Sequence, residues 1–208
     1  MGAIKASQRT EAVDLIIAGG GIPGVCMAIA AARLGLTVAL IQDRPVLGGN
    51  NSSEVRVHLA GRMNLPPFPR LGDVVSEIGP RRGGNAQPGD YYEDERKIEA
   101  VKAEKNIRLF LSTRALAVEK AGARITAVVG RHIETGQETR FTAPLVADCT
   151  GDGVIGMLAG AEYRYGRESK EETGESTAPD KADSQTMGSS VQWYSREAQE
   201  PVAFPDIA

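Results

Sequence analysis

The chain has 208 residues, 24 Lys and Arg against 27 Asp and Glu, a formal net charge of −3 and a pI near 5.5, a balance without the basic excess of a nucleic-acid binder. With 41% hydrophobic and 25% charged residues its usage is that of an ordinary globular protein, which excludes a disordered, collagen-like or coiled-coil chain. Glycine is high at 24 residues while aromatics make up only 5%, so much of the backbone turns tightly or approaches something closely.

Residues 13–18, Val-Asp-Leu-Ile-Ile-Ala, form a β-branched apolar run that stops at Gly19, Gly20 and Gly21, the pattern of a buried strand ending in a tight turn. Residues 25–34 follow, apolar on nearly every face and rich in alanine, with Pro23 placed for the first helical turn and Gly35 for the C-terminal cap. Residues 37–41 give a second apolar strand. Neither strand alternates with polar residues, which predicts a parallel sheet covered on both faces. From Arg44 to about Asp90 the chain is a long excursion dominated by Gly, Pro, Asn and Arg, with a strand-like stretch at 54–59 and a short helix at 73–78. Residues 92–105 read as a polar-faced helix, Ile98 and Val101 on one side and Glu93 and Lys97 paired at i,i+4, and a strand follows at 107–111. Three segments at 115–120, 124–133 and 138–143, divided by turn residues, predict an antiparallel meander. Residues 144–149 then run into Thr150-Gly151-Asp152-Gly153 and the apolar stretch 154–160, a second strand, glycine turn and helix. Residues 167–185 are densely polar without periodicity and read as a solvated crossover.

Gly19-x-Gly21-x-x-Gly24 lies between a predicted strand and a predicted helix, the context a dinucleotide site requires. The first glycine makes the turn, the second lets backbone approach a pyrophosphate and the third lets helix and strand pack, with the phosphates at the helix N-terminus. The expected acidic residue about 20 positions on falls on Gln42, with Asp43 beside it; Gln42 can donate and accept hydrogen bonds to a ribose, while Asp43 points to the opposite face of an extended strand and comes in only if the strand end twists. Cys26 and Cys149 are too few for a disulfide framework or for a zinc or iron–sulfur site within this chain, and read as small buried residues. No run approaches the roughly 18 apolar residues of a membrane span, and the start lacks an apolar stretch of signal-peptide type, so the expected compartment is the cytoplasm.

Residues 40–53, with Gly48-Gly49-Asn50, resemble the paired-glycine segment that follows the second strand in FAD-dependent oxidoreductases of the glutathione-reductase-like superfamily. Residues 145–152 likewise resemble that superfamily's later strand and Ala-Thr-Gly turn, with Cys149 where alanine is usual. From about Val13 to Gln192 the chain is similar to the broad bacterial FAD-dependent oxidoreductase family, some of whose members carry iron–sulfur centres. The resemblance implies an α/β FAD/NAD(P)-binding Rossmann-like domain with a parallel sheet in the order 3-2-1-4, helices on both faces and the inserted meander. It implies FAD as cofactor, with Gly19, Gly21, Pro23 and Gly24 at the pyrophosphate and Gln42 at the adenosine ribose. Arg44, Gly48, Gly49 and Asn50 line the path to the flavin, Ala115 contacts adenine, and Thr150, Gly151 and Asp152 form a second cofactor turn.

The division expected is an FAD-binding domain at 11–166, a polar crossover at 167–190 and the start of a truncated substrate domain at 191–208, with Trp193 and Phe204 short of their core. The expectation for such a chain is that it binds the AMP half of FAD better than the isoalloxazine half and shows little substrate turnover alone. A small-molecule substrate is expected, with no nucleic-acid or membrane partner and with a homo-oligomer or additional chain completing the substrate domain. Arg56 and His58, on alternate positions of the 54–59 stretch, are placed to face one cleft, whereas His132 reads as structural; no catalytic residue is assigned. A dinucleotide-binding module without turnover and an NAD(P)-binding dehydrogenase domain remain alternatives.

Overall fold

The structure, a computed structural model, describes residues 9–191, 195 and 197–203. Gln192, Trp193, Tyr194 and Phe204, expected to open another domain, lie outside them. In chain order the elements are β1 (Arg9–Ala12), β2 (Leu15–Ala18), α1 (Ile22–Arg33), β3 (Val38–Ile41), α2 (Asp73–Ile78), α3 (Asp94–Ala103), β4 (Ile107–Phe110), β5 (Thr113–Ala121), β6 (Arg124–His132), β7 (Glu138–Thr142), β8 (Leu145–Asp148), α4 (Val154–Leu158) and α5 (Lys170–Thr173).

Two four-stranded sheets stack on each other. One has the order β4-β3-β2-β8, every neighbour parallel. Its central strands are apolar at every position because both faces are covered. Leu15, Ile17, Val38 and Leu40 face α1 and α3, packing with Val25, Ala28, Ile29, Ile98 and Val101. Ile16, Ala18, Ala39 and Ile41 face the other sheet, against Val128 and Phe141, and Phe110 meets the Phe141 ring edge-on at 4.7 Å. Truncating one such residue, Ile17 to alanine, removes roughly 2–5 kcal/mol.

That second sheet corrects the expectation of helices on both faces. The meander β5-β6-β7 covers one face, and α4 adds only Ile155 to the core there. The meander gains a fourth strand that the sequence did not announce: β1 pairs parallel with β7. Glu11 is the buried residue of β1, and its carboxylate takes Arg9 and Arg108 at 2.6 Å each, tying this edge strand to β4 of the parallel sheet.

Three further local expectations are revised. Residues 54–59 form no strand, since Arg56 turns into the left-handed region at φ +65°. Helix α3 starts at Asp94, and Glu93 before it is itself left-handed at φ +45°, so Glu93 pairs with Arg96 at 3.5 Å while Lys97 turns inward. The polar crossover contains the single-turn α5, closed by a reciprocal capping box between Ser169 and Glu172. Cys26 and Cys149 are half-buried, and no helix among the described residues is long and apolar enough to cross a membrane.

The starts of β2 and β3 are stapled by Asp14, whose carboxylate accepts from the Thr37 hydroxyl at 2.6 Å and the Thr37 backbone N–H at 2.8 Å. These bonds hold its pKa below the usual carboxylate range. The unfolded chain therefore takes up that proton first as pH falls, and the staple's contribution, whole at neutral pH, declines below about pH 4. Asp14→Asn should melt below the parent at pH 7, with the gap narrowing as melting is repeated at progressively lower pH.

Candidate functional site

Strands β2, β3 and β8 end side by side, and at their C-terminal ends lies a cleft of about 640 Å³, within the range of small-molecule sites. A shallower hollow of about 510 Å³ among Ala12, Arg124 and Pro144 sits at the opposite ends of the strands, where a parallel sheet does not place its ligand.

The first wall is the turn from β2 into α1. Gly19 adopts φ +104°, and a Cβ on it would stand 2.1 Å from the Cys149 carbonyl oxygen of the neighbouring chain segment. A Cβ on Gly24 would stand 1.9 Å from the Gly19 oxygen. Both glycines are required by the packing of the protein on itself. Gly21 is different: its φ of −65° and ψ of 175° suit any residue, and a Cβ there would meet only Pro23 at 3.7 Å. It faces the cleft, at the N-cap of a helix whose first turn has neither a side-chain cap nor an acidic residue.

The second wall is the paired-glycine turn. Gly48 donates its N–H to the Gly20 oxygen at 2.8 Å, and a Cβ on Gly49 would come within 3.1 Å of the Gly21 Cα, so the two glycine turns lie against each other. Beneath them Lys97 is fully buried, its chain against Gly48, its ammonium donating to the Tyr92 carbonyl and 3.8 Å from Asp94. Burial pushes the Lys97 pKa down while Asp94 and Glu93 oppose that shift. The Asp94 carboxylate accepts the Ser53 N–H at 3.1 and 3.2 Å, so α3 props the turn from below. Within the turn Ser52 donates to the Gly49 oxygen at 2.7 Å, and Asn51, 2% exposed, donates its side-chain Nδ2 to the Val57 oxygen at 2.9 Å.

The third wall is the turn after β8. Asp148 accepts from the Thr150 hydroxyl at 2.6 Å and from the Thr150 and Gly156 N–H groups at 3.1 and 3.0 Å, and the Thr150 hydroxyl in turn accepts from Val154 N–H at 2.9 Å. Partial burial works to raise the Asp148 pKa, and these hydrogen bonds outweigh it, holding the carboxyl below its usual range.

Of the residues singled out by sequence, Gly19, Gly21, Pro23, Gln42, Asp43, Arg44, Gly48, Gly49, Asn50, Ala115, Thr150, Gly151 and Asp152 all line this one cleft. Gly24 does not, because it lies under Gly19. The structure gives Gln42 a different task from the one expected: it is 5% exposed, its Oε1 accepts from Gly20 N–H at 2.8 Å and its Nε2 donates to the Val46 oxygen at 3.1 Å. Its amide is occupied in joining the first two walls, and Asp43, exposed in the cleft, is the side chain left to face a ligand at this strand end. Ala115 arrives there because Thr113 N–H bonds the Gln42 oxygen at 2.8 Å and Ser112 N–H the Arg44 oxygen at 3.0 Å. Arg56 and His58 do not share a face. Val57 and His58 line the cleft, whereas Arg56 lies outside it with its Nε donating to the Ser53 oxygen at 2.9 Å. His132 stands in a hairpin, accepting from Thr135 N–H at 3.3 Å. Sequence reasoning passed over Asn51 and Ser52, both buried in the cleft wall; the available signal was a pair of small polar residues directly after a double glycine.

A family model described as FAD dependent oxidoreductase matches residues 14–205. The chain belongs to that family. It is similar to the aerobic glycerol-3-phosphate dehydrogenase of Staphylococcus aureus, 35% identical over 79 residues, a match covering 38% of this chain. The chain covers 14% of the length of the curated relatives it matches. Among solved structures it is similar to the L-proline dehydrogenase of P. horikoshii, at 23% identity and a TM-score of 0.44 over 70% of this chain and 24% of that one. It is also similar to a geranylgeranyl bacteriochlorophyll reductase-like protein of Thermoplasma acidophilum, at 19% identity and a TM-score of 0.47 over 74% of this chain and 43% of that one.

The Gln42 bridge yields a measurement that needs no ligand. Gln42→Leu leaves the buried Gly20 N–H unpaired and should lower the unfolding free energy of the ligand-free protein by about 1–3 kcal/mol in urea titrations. Asp43→Ala, which breaks no bond among the described residues, should stay within about 0.5 kcal/mol of the parent.

Proposed function

We propose that this member of the FAD-dependent oxidoreductase family binds FAD along the cleft, adenosine at the Asp43 and Ala115 end and flavin toward Asn50, His58 and Asp152, and uses it to oxidise or reduce a small molecule. The observation that carries the reading is Gly21. Neither its backbone angles nor its protein neighbours require glycine, so the missing side chain makes room for something else, and what fits an open helix N-terminus is an anion.

In this arrangement the N–H groups of the first turn of α1 point at the diphosphate, with no carboxylate in that turn to compete. Arg44, 62% exposed and only loosely paired to Glu54 at 3.7 Å, adds a cation along the same edge. Asp43 accepts from the ribose hydroxyls, the role its position after the second parallel strand suits. Ala115 leaves room for a planar base. Gly151, where a Cβ would meet no atom within 4 Å, keeps the third wall open to the far half of the cofactor. When bound, FAD supplies the electron-transfer chemistry of its isoalloxazine ring. His58 brings an imidazole, able to give or take a proton, to the flavin end of the cleft.

The reading is tested by reconstituting the purified protein with FAD, removing excess and identifying the retained ligand from its visible spectrum and by chromatography after denaturation. FAD, rather than FMN or NAD, should be recovered. Gly21→Val should keep the ligand-free melting temperature and weaken FAD binding by roughly tenfold or more. Gly24→Val should instead lose the fold. Equal FAD affinity in Gly21→Val and parent would show that the loop is only a turn.

A further inference from the structure

Among the described residues, one buried side-chain oxygen or nitrogen lacks a hydrogen-bond partner, and it is Oδ1 of Asn51. Its identity as an oxygen follows from chemistry. The other end of the amide lies 2.9 Å from the Val57 carbonyl oxygen, which can only accept, so that end is the NH2 group and the unpaired atom is the carbonyl. The residue is 2% exposed and lines the cleft. Its backbone is fixed as well: Asn51 N–H bonds the Gly48 oxygen at 3.0 Å, and Val57 N–H bonds the Asn50 oxygen at 2.9 Å. An acceptor held this firmly without a donor is costly in a folded protein, and burial denies it free exchange with water.

We infer that Asn51 Oδ1 is a cofactor contact and accepts a hydrogen bond from an O–H or N–H donor on the flavin half of FAD. The inference rests on the FAD reading and adds a polarity to it. An acceptor has nothing to take from an ionised diphosphate, which carries no protons. The adenosine half meets its own acceptor in Asp43 at the other end, where β3 and β5 meet. Asn51 is tied instead to Val57, next to His58, at the end assigned to the flavin. The donors available there are the ribityl hydroxyls and the ring N–H.

Asn51→Ala should weaken FAD binding about tenfold and leave ADP binding unchanged, since ADP carries the adenosine and diphosphate but no flavin half. FAD methylated at the ring nitrogen N3 separates the two sources. A mutational penalty that disappears with the methylated cofactor assigns the ring N–H, and one that persists assigns a ribityl hydroxyl. In the unsubstituted chain, the Asn51 side-chain carbonyl carbon resonance should move when FAD is added and stay in place with ADP, a readout independent of any variant's folding. Equal FAD affinity in parent and Asn51→Ala, an equal loss for ADP, or a carbonyl resonance unmoved by FAD overturns the inference. A parent chain that binds ADP but no FAD overturns the cofactor reading itself.

Discussion

The cleft exists because backbone touches backbone at the end of β2. Gly19 lies on the carbonyl of Cys149, Gly24 lies on the carbonyl of Gly19, and Gly49 lies on Gly21, so the three walls meet at points of backbone contact. A methyl group at either of the first two contacts would overlap a carbonyl oxygen, and the adjoining strand or helix would have to move by more than an ångström. The strands need not carry recognition groups themselves. They bring three turns together, and the turns present N–H groups, carboxylates and a buried amide.

Side chains that look like ligand contacts turn out to be joinery. Gln42 spans the first and second turns, Asp148 gathers the third, and Asp94 carries the second on the end of α3. Each puts a polar group against backbone N–H, where a hydrogen bond to a charged or amide oxygen is strong and directional. Asp43 and the Oδ1 of Asn51 are left over from this work and remain available to a ligand. Separating the two sets is possible only once the partners are seen.

The parallel strands were legible because burial on both faces writes itself as an unbroken apolar run, and the glycine turns because their spacing follows from close packing. The meander was legible from its turn residues. What escaped depended on contacts distant in sequence. β1 is four residues long and half charged, and its partner β7 lies about 130 positions away. Residues 54–59 alternate polar and apolar as a strand would, yet the Tyr92 hydroxyl bonded to the Arg56 oxygen at 2.6 Å and Asn51 bonded to Val57 bend them into a cleft wall. Local periodicity has no access to such a tether. For Gln42, the sequence located the strand end correctly but had no means of showing that the amide turns toward Gly20 and away from solvent.

The seat of Gly48 on Lys97 carries a consequence for how this protein can vary. A Cβ at position 48 would fall 2.2 Å from the Asn51 backbone oxygen and 2.9 Å from the lysine's Cε, while the lysine's ammonium is anchored on the Tyr92 carbonyl. Positions 48 and 97 therefore form one unit of inheritance although they lie on separate segments. A change at either alters the cost of a change at the other, and in a set of homologues their substitutions should be statistically linked, with α3 and the glycine turn drifting together as a block.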